Sequence, residues 1–434
     1  MTTLKTRDIF ALGFMTFALF LGAGNIIFPP SVGLAAGEFQ WSAALGFLLT
    51  GVGLPLLGVV ALARVGGGLD TLTHPIGKLA GTLMGLSIYL TIGPFFATPR
   101  TATVSFEVGM APFTGNTPEA LAIFTVFYFA LVMVLSLYPG KLMDNIGKII
   151  TPALLLVLAI LGIAAFVTPV GSIAATPAEA YATAGQALAK GFVEGYQTMD
   201  ALASLVFGII IVTAIKAAGV TDVKLHTRYT IYAGIIAAIG LGLVYVSLVY
   251  LGAMSGSVVP AGTSGVQILN NYVDSTFGTA GIFLLAAVIL LACITTGVGL
   301  VSACSAYFSG LFGIQYRSVV IIMSVFSAAV ANQGLAQLIT VAVPVLVGIY
   351  PPAIALIALG LLSNLFRNKS RVFIPTMIAA LVFGIVDATK AAGFGHLIPG
   401  FFANLPASEM GLGWLVPVAA VLVIATIADR TRKA

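Results

Sequence analysis

The stretch FLGAGNIIFPP, residues 20–30, places Gly22, Gly24, Pro29 and Pro30 inside a run otherwise apolar enough to cross a membrane. Glycine weakens a helix through backbone entropy, and proline removes a donor from its ladder. The spacing therefore predicts a helix interrupted around Gly22, Ala23, Gly24 and Asn25, with backbone N–H and C=O groups left free. In hydrocarbon such groups persist only where they line a cavity enclosed by protein. A spanning helix broken near its middle points to a binding site for something small and polar.

The membrane setting follows from composition. Of the 434 residues 59% are hydrophobic and only 8% charged, and the mean hydropathy is +1.11, whereas soluble domains carry about 25% charged residues. Apolar segments long enough for a bilayer core of about 30 Å recur along the chain. They fall at residues 8–36, 42–63, 76–111, 118–138, 143–168, 186–219, 229–253, 277–312, 316–333, 335–363, 372–390 and 411–428, which predicts an all-α polytopic protein of twelve spans. The pair Pro351-Pro352 would divide the tenth and give thirteen. Charge decides between them. With twelve spans and the N-terminus inside, every Lys and Arg except Arg100, Lys190 and Lys390 falls on the cytoplasmic side, including Lys5, Arg7, Arg64, Lys141, Lys148, Lys224, Arg367, Lys369, Arg371, Arg432 and Lys433. A split tenth span would move Arg367, Lys369 and Arg371 outside, against the positive-inside rule. The start, MTTLKTRDIF, lacks a small-residue cleavage site and is expected to stay as a cytoplasmic terminus.

The same topology accounts for the net charge of +5, and no basic patch interleaved with exposed aromatics suggests nucleic acid. Cys293 and Cys304 lie eleven positions apart on one helix, roughly 16 Å along its axis, and cannot pair within it. His74, His226 and His396 fall in separate connections without metal-ligand spacing. Residues 262–265, GTSG, imitate a hydrolase fragment, but no histidine lies in any predicted span, and no metalloprotease or phosphate-loop signature is present. No cofactor and no enzymatic activity are expected, and no protein partner is evident. Nothing resembles a potassium-channel filter.

Spans 1–5 and 6–10 repeat one another in three respects. The sixth span is interrupted by Gly195, Tyr196, Gln197, Thr198, Met199 and Asp200 much as the first is by its glycines. Spans 3 and 8 are both unusually long, which predicts strong tilt. IITPALLLVLAIL at residues 149–161 is weakly similar to LITVAVPVLVGIY at residues 338–350. Each offset is five spans, an odd number, so the second unit enters the membrane from the opposite side. That is an inverted repeat, with units at residues 1–168 and 169–366 and two additional spans at 367–434.

LGAGNIIFPP, GPFFATPRTATVSFE at residues 93–107 and EGYQTMDALA at residues 194–203 resemble the bacterial branched-chain amino acid carriers, the LIVCS cation symporters of the amino acid, polyamine and organocation superfamily. The likeness extends over essentially the whole chain. It implies a LeuT-like five-plus-five inverted repeat with broken helices 1 and 6. It also implies uptake of leucine, isoleucine or valine by symport with sodium through alternating access, in the plasma (inner) membrane of a bacterium, with both termini cytoplasmic.

On that expectation the amides of Gly22, Ala23, Gly24 and Asn25, at the positive end of a half-helix, are suited to the substrate carboxylate. Gln197, Thr198 and Asp200 complete the substrate site. In the eighth span ACITTGVG is similar to the sodium-site pattern of LeuT-like transporters. Carried over residue by residue, this gives the carbonyls of Ala18, Leu21 and Ala292 and the hydroxyls of Thr295 and Thr296 as sodium ligands. The alternative for the threonines is a bond to the carbonyl one turn back; for the glycines it is close helix packing.

Ionisable groups at membrane depth need partners. Arg100 and Glu107, two turns apart, are expected to form an ion pair or a gate; Asp200 to orient the break, pair with Arg100 or carry a proton; Glu194 to be functional; Asp387 and Lys390 to neutralise each other. Phe95, Phe96 and Phe207 are candidate pocket walls. The runner-up function is a proton-coupled permease for another small metabolite, with Asp200 as carrier. Residues 254–276 are either a lid or a connector.

Overall fold

The computed structural model describes residues 3–138, 141–173, 176–220, 222–402 and 405–431. Arg432 and Lys433, and the side chains of Lys141, Lys148 and Lys224, lie outside the described residues. All regular structure among the described residues is helical. Among the described residues eight helical stretches are long and apolar enough to cross a membrane, and Leu154–Val167 and Tyr316–Ala331 are shorter apolar helices. Thr6–Phe20 and Leu415–Thr431 complete the twelve predicted segments. The tenth is one helix, Leu335–Leu362, that carries Pro344, Pro351 and Pro352 without dividing.

Five spans are irregular, and the irregularities have local causes. The first comprises Thr6–Phe20 and Ala23–Ala36, separated only by Leu21 and Gly22, both in extended conformation. Pro29 and Pro30 sit inside the second half-helix, so the interruption is narrower than predicted: Ala23, Gly24 and Asn25 are already helical. The second and third spans each contain a widened turn, Leu49–Gly53 and Thr91–Phe95. In the third, Pro94 supplies no N–H and Gly93 leaves helical geometry, which kinks the span. The sixth runs Ala184–Glu194, a tight turn Gly195–Thr198, then Asp200–Ala217. Between turn and helix Met199 takes φ 60°, a left-handed conformation unusual for a side chain of its size.

The eighth helix, Gly265–Phe312, is bent at Gly278, where φ is 63°. The length of spans 3 and 8 therefore reflects kinked helices rather than tilt alone. Part of the supposed connector 254–276 is helical from Gly265 onward, with Ser264 accepting from the Gln267 amide at 3.3 Å as an N-cap. The GTSG fragment is thus a helix start. This helix lies so close to the first span that a Cβ on Gly265 would clash with the Ile27 carbonyl. His226, expected in a connection, lies in the first turn of Val223–Ala253, its ring bonded to the Val220 carbonyl at 2.8 Å.

Small residues let the broken spans sit backbone to backbone with their neighbours. A Cβ on Gly46 would strike the Leu188 carbonyl and one on Gly191 the Ala43 carbonyl, which packs the second span on the first half of the sixth. Outside this core, residues such as Phe127, Ile163, Ile239 and Val325 are exposed on the flanks, as a surface against lipid requires. The last helix is tied to the connection before the eleventh span, Lys369–Ala391. Buried Asp429 accepts from the amides of Arg367 at 2.7 Å and Asn368 at 3.1 Å. Asp429→Ala leaves those N–H groups without that acceptor, so a loss of about 1–3 kcal/mol is expected. Thermal unfolding in detergent checks this: the variant melts lower, whereas an unchanged midpoint would show that the carboxylate adds nothing.

Candidate functional site

The two breaks face each other. A Cβ on Gly24 would lie 3.1 Å from the Gln197 carbonyl and 3.4 Å from the Thr198 Cα, so glycine is what allows the first span to touch the turn of the sixth. Gly22 has an ordinary extended backbone; its requirement is space, because a Cβ there would be 3.2 Å from the Thr296 Cγ2.

Groups released by the breaks are taken up by side chains. The Gly22 amide donates to Asn25 Oδ1 at 3.1 Å. Thr198 Oγ1 donates to the Gly195 carbonyl at 2.9 Å. Arg100, from the third span, donates from Nη1 to the Gln197 carbonyl at 2.7 Å. Thr296, from the eighth, points its hydroxyl at the Leu21 carbonyl at 3.4 Å.

A buried polar cluster joins the first, sixth and seventh spans. Asn25 Nδ2 donates to Asp200 Oδ2 at 2.5 Å and also to the Tyr245 hydroxyl, which itself donates to Asp200 Oδ2 at 2.9 Å. All three side chains are buried. Tyr245 escaped the sequence reading, since one tyrosine in an apolar helix carries no signal of its partner in another.

Two cavities meet here. The smaller, about 40 Å³, is lined by Gly22, Gly24, Arg100, Thr198, Asp200 and Thr296, among others. The larger, about 950 Å³, runs from Leu4 and Asp8 at the N-terminal end of the first span up to Ala18, Thr295 and Thr296. Leu19, Phe207 and Thr296 line both.

A sequence profile of the family described as branched-chain amino acid transport protein matches residues 5–432. The chain belongs to this family. It is 58% identical over 430 residues to the branched-chain amino acid transport system 2 carrier protein of Pseudomonas aeruginosa, covering 99% of this chain and 98% of that one. It is 53% identical to the branched-chain amino acid permease BrnQ of Escherichia coli K12, covering 98% and 97%. Among solved structures it is similar to a Na+-coupled sialic acid symporter, with TM-score 0.61 and 14% identity over 98% of this chain and 90% of that one. It is likewise similar to MhsT in complex with L-phenylalanine, with TM-score 0.55 and 17% identity over 99% and 100%. The fold is LeuT-like, with broken helices 1 and 6, and the protein is an integral membrane transporter rather than an enzyme.

Within this carrier the expected residues fare unequally. Gly22, Ala23, Gly24, Asn25, Thr198 and Asp200 share the small cavity, while Gln197 contributes its carbonyl to Arg100 and leaves Oε1 without a hydrogen-bond partner. Of the oxygens assigned to sodium, Thr296 and Leu21 meet, and Ala18 and Thr295 line the large cavity beside Thr296. Thr295 donates to the Ala292 carbonyl at 2.8 Å, the bond one turn back that was its alternative.

Arg100 and Glu107 form no ion pair. Seven residues along one helix separate them by about 10 Å, and Arg100 turns instead to Gln197 and to the Phe28 ring, 5.1 Å from its centroid. Nor does Arg100 pair with Asp200. Glu194 belongs to an ordinary helical i,i+4 bridge with Lys190 at 2.7 Å. Lys390 reaches the Phe402 carbonyl at 3.3 Å and the Ser408 hydroxyl rather than Asp387. Of the three wall candidates Phe207 lines both cavities; Phe95 is 40% exposed and packs edge-on against Phe326, and neither it nor Phe96 lines either cavity.

An aqueous route through the large cavity would open its walls to solutes. Cysteine at Met15, which lines it, is expected to react with a hydrophilic maleimide much faster than the native thiols of Cys293 and Cys304, which are fully buried. Equal rates at all three would remove the cavity as an aqueous route.

Proposed function

We propose that the carrier takes up leucine, isoleucine and valine by symport with sodium. It would work by alternating access in the inner membrane of a bacterium, with both termini cytoplasmic and units at residues 1–168 and 169–366 moving against each other. The names of its relatives support the substrate class. The observation that carries the coupling is the approach of the Thr296 hydroxyl to the Leu21 carbonyl, 3.4 Å apart at the broken first span. A hydroxyl and a freed carbonyl brought together from two helices make a neutral oxygen pair suited to a hard monovalent cation, by the logic that gives such ions oxygen cages. Ala18 and Ala292 would add carbonyls, and Thr295 a hydroxyl once it leaves Ala292.

On the substrate side the Gly22 amide is already engaged by Asn25. The amides of Ala23 and Gly24, at the first turn of the half-helix, remain for the carboxylate. Asp200, held by Asn25 and Tyr245, faces the ammonium. Because the large cavity reaches the site from the N-terminal end of the first span, the conformation described is inward-facing under the proposed topology.

A second reading rests on Asp200, a buried carboxylate whose hydrogen-bond donors, Asn25 and Tyr245, are both neutral. Such a group is suited to carry a proton, and proton-coupled transport of another small metabolite would use it so.

Leucine uptake into sealed vesicles containing the purified protein distinguishes these readings. Under an imposed sodium gradient at equal pH, uptake is expected to rise. Uptake that follows a proton gradient and ignores sodium would establish the second reading instead. Thr296→Ala is expected to raise the half-saturating sodium concentration about tenfold or more, the loss of one contact to an ion of roughly 1.5–3 kcal/mol. An unchanged half-saturation excludes Thr296 from the ion site.

A further inference from the structure

Arg100 is one of the largest fully buried side chains in the protein, with 2% of its surface exposed. Among the described residues it forms no ion pair. Its Nη1 edge is fixed by the Gln197 carbonyl at 2.7 Å, and its face is covered by the Phe28 ring. Nε and Nη2 have no hydrogen-bond partner at all.

These two nitrogens are the adjacent pair along the other edge of the guanidinium, the fork that matches the two oxygens of a carboxylate. A buried cation held rigidly on one edge and empty on the other is costly unless something arrives to pair with it. The group lines the small cavity together with Gly22, Gly24 and Asp200. Asp200 is the mirror case, a buried carboxylate that accepts from two neutral donors, Asn25 Nδ2 and the Tyr245 hydroxyl. An acidic and a basic side chain, each without an ionic partner, thus face one cavity, and a zwitterion supplies both missing halves.

We propose that Arg100 is the anchor for the substrate carboxylate, taking it side-on through Nε and Nη2, with Asp200 as the opposite pole. This rests on the α-amino acid reading above and deepens it: the charged part of carboxylate recognition comes from the third span, and the half-helix amides are auxiliary. It also gives the bond to Gln197 a purpose, since that bond aims the free edge while closing the orphaned carbonyl of the sixth-span turn.

The test compares equilibrium binding of L-leucine with that of leucinol, in which a hydroxymethyl group replaces the carboxylate, on purified wild type, Arg100→Met and Arg100→Lys. Wild type is expected to favour leucine at least a hundredfold. Arg100→Met should reduce leucine to the level of leucinol while moving leucinol less than threefold, and Arg100→Lys should weaken leucine about tenfold with leucinol again unmoved. Thermal unfolding supplies a second readout: leucine should raise the midpoint of wild type and leave that of Arg100→Met where it lies without ligand.

Equal losses for leucine and leucinol would mean that Arg100 only positions the break, and would overturn the proposal. So would unchanged leucine binding in Arg100→Met, or failure of both variants to fold. If wild type binds leucine, isoleucine and valine no better than it binds their alcohols, uptake of branched-chain amino acids falls as the proposed function as well. A response at Arg100 that is absent while wild-type leucine binding is intact sinks this inference alone.

Discussion

In a hydrocarbon setting the backbone must satisfy itself, and this protein interrupts its backbone twice in the same place. At Leu21 and Gly22, and again from Gly195 to Met199, the helical ladder stops inside the protein. Each polar group so released would cost several kcal/mol if left alone. Four of them find side chains: the Gly22 amide takes Asn25, the Leu21 carbonyl Thr296, the Gln197 carbonyl Arg100, and the Gly195 carbonyl Thr198. Two of these four side chains come from other spans, the third and the eighth. Satisfying the breaks is therefore what gathers the site: the residues that repair the backbone are the ones that line the cavity.

The arrangement is also under tension. Met199 holds a left-handed conformation that costs a bulky residue on the order of 1–3 kcal/mol, and it does so between the tight turn and Asp200. Packing on both sides over-determines it: Gly24 lies against Gln197 and Thr198, and Tyr196 stacks on Tyr350 with ring centroids 4.0 Å apart. A segment strained in one arrangement and bonded by a few long contacts, such as the 3.4 Å Thr296 to Leu21 approach, is where a second arrangement is cheapest to reach. Ligands that bind between those contacts shift the balance only through interactions that differ in the two arrangements, and the charges of Arg100 and Asp200 offer the largest such differences available here.

Much of the frame was legible because it is written locally. Gly22 and Gly24 in an apolar run, and Gly195 to Asp200 in another, each carry their meaning within about twenty residues. The extent of the first break was misread, since Pro29 and Pro30 look like breakers in a sequence yet sit within a half-helix whose N-terminus is two turns earlier. The kink at Gly278 and the helix beginning at Gly265 were missed for a related reason: glycine allows a bend, and only the neighbouring first span, with Ile27 against Gly265, determines that one occurs. Partnerships were the least legible. Arg100 and Glu107 share a helix face, and the sequence offers no sign that Arg100 reaches across to a carbonyl ninety-seven positions away, or that Tyr245 closes on Asp200 from the seventh span.

This division between local and distant signals has a counterpart in recognition. The polar ends of an α-amino acid are the same whatever its side chain, so under the proposed binding mode Arg100, Asp200 and the half-helix amides would select a class and say nothing about its members. Under that binding mode, discrimination among leucine, isoleucine and valine would fall to the apolar wall, where Leu19 and Phe207 line both cavities. One methylene against such a wall is worth about 1–3 kcal/mol. A carrier built this way accepts the three branched side chains as a group, with preferences of tenfold to a few hundredfold at most. Sharper selection would require a polar contact to the side chain, and an aliphatic side chain has nothing to offer one.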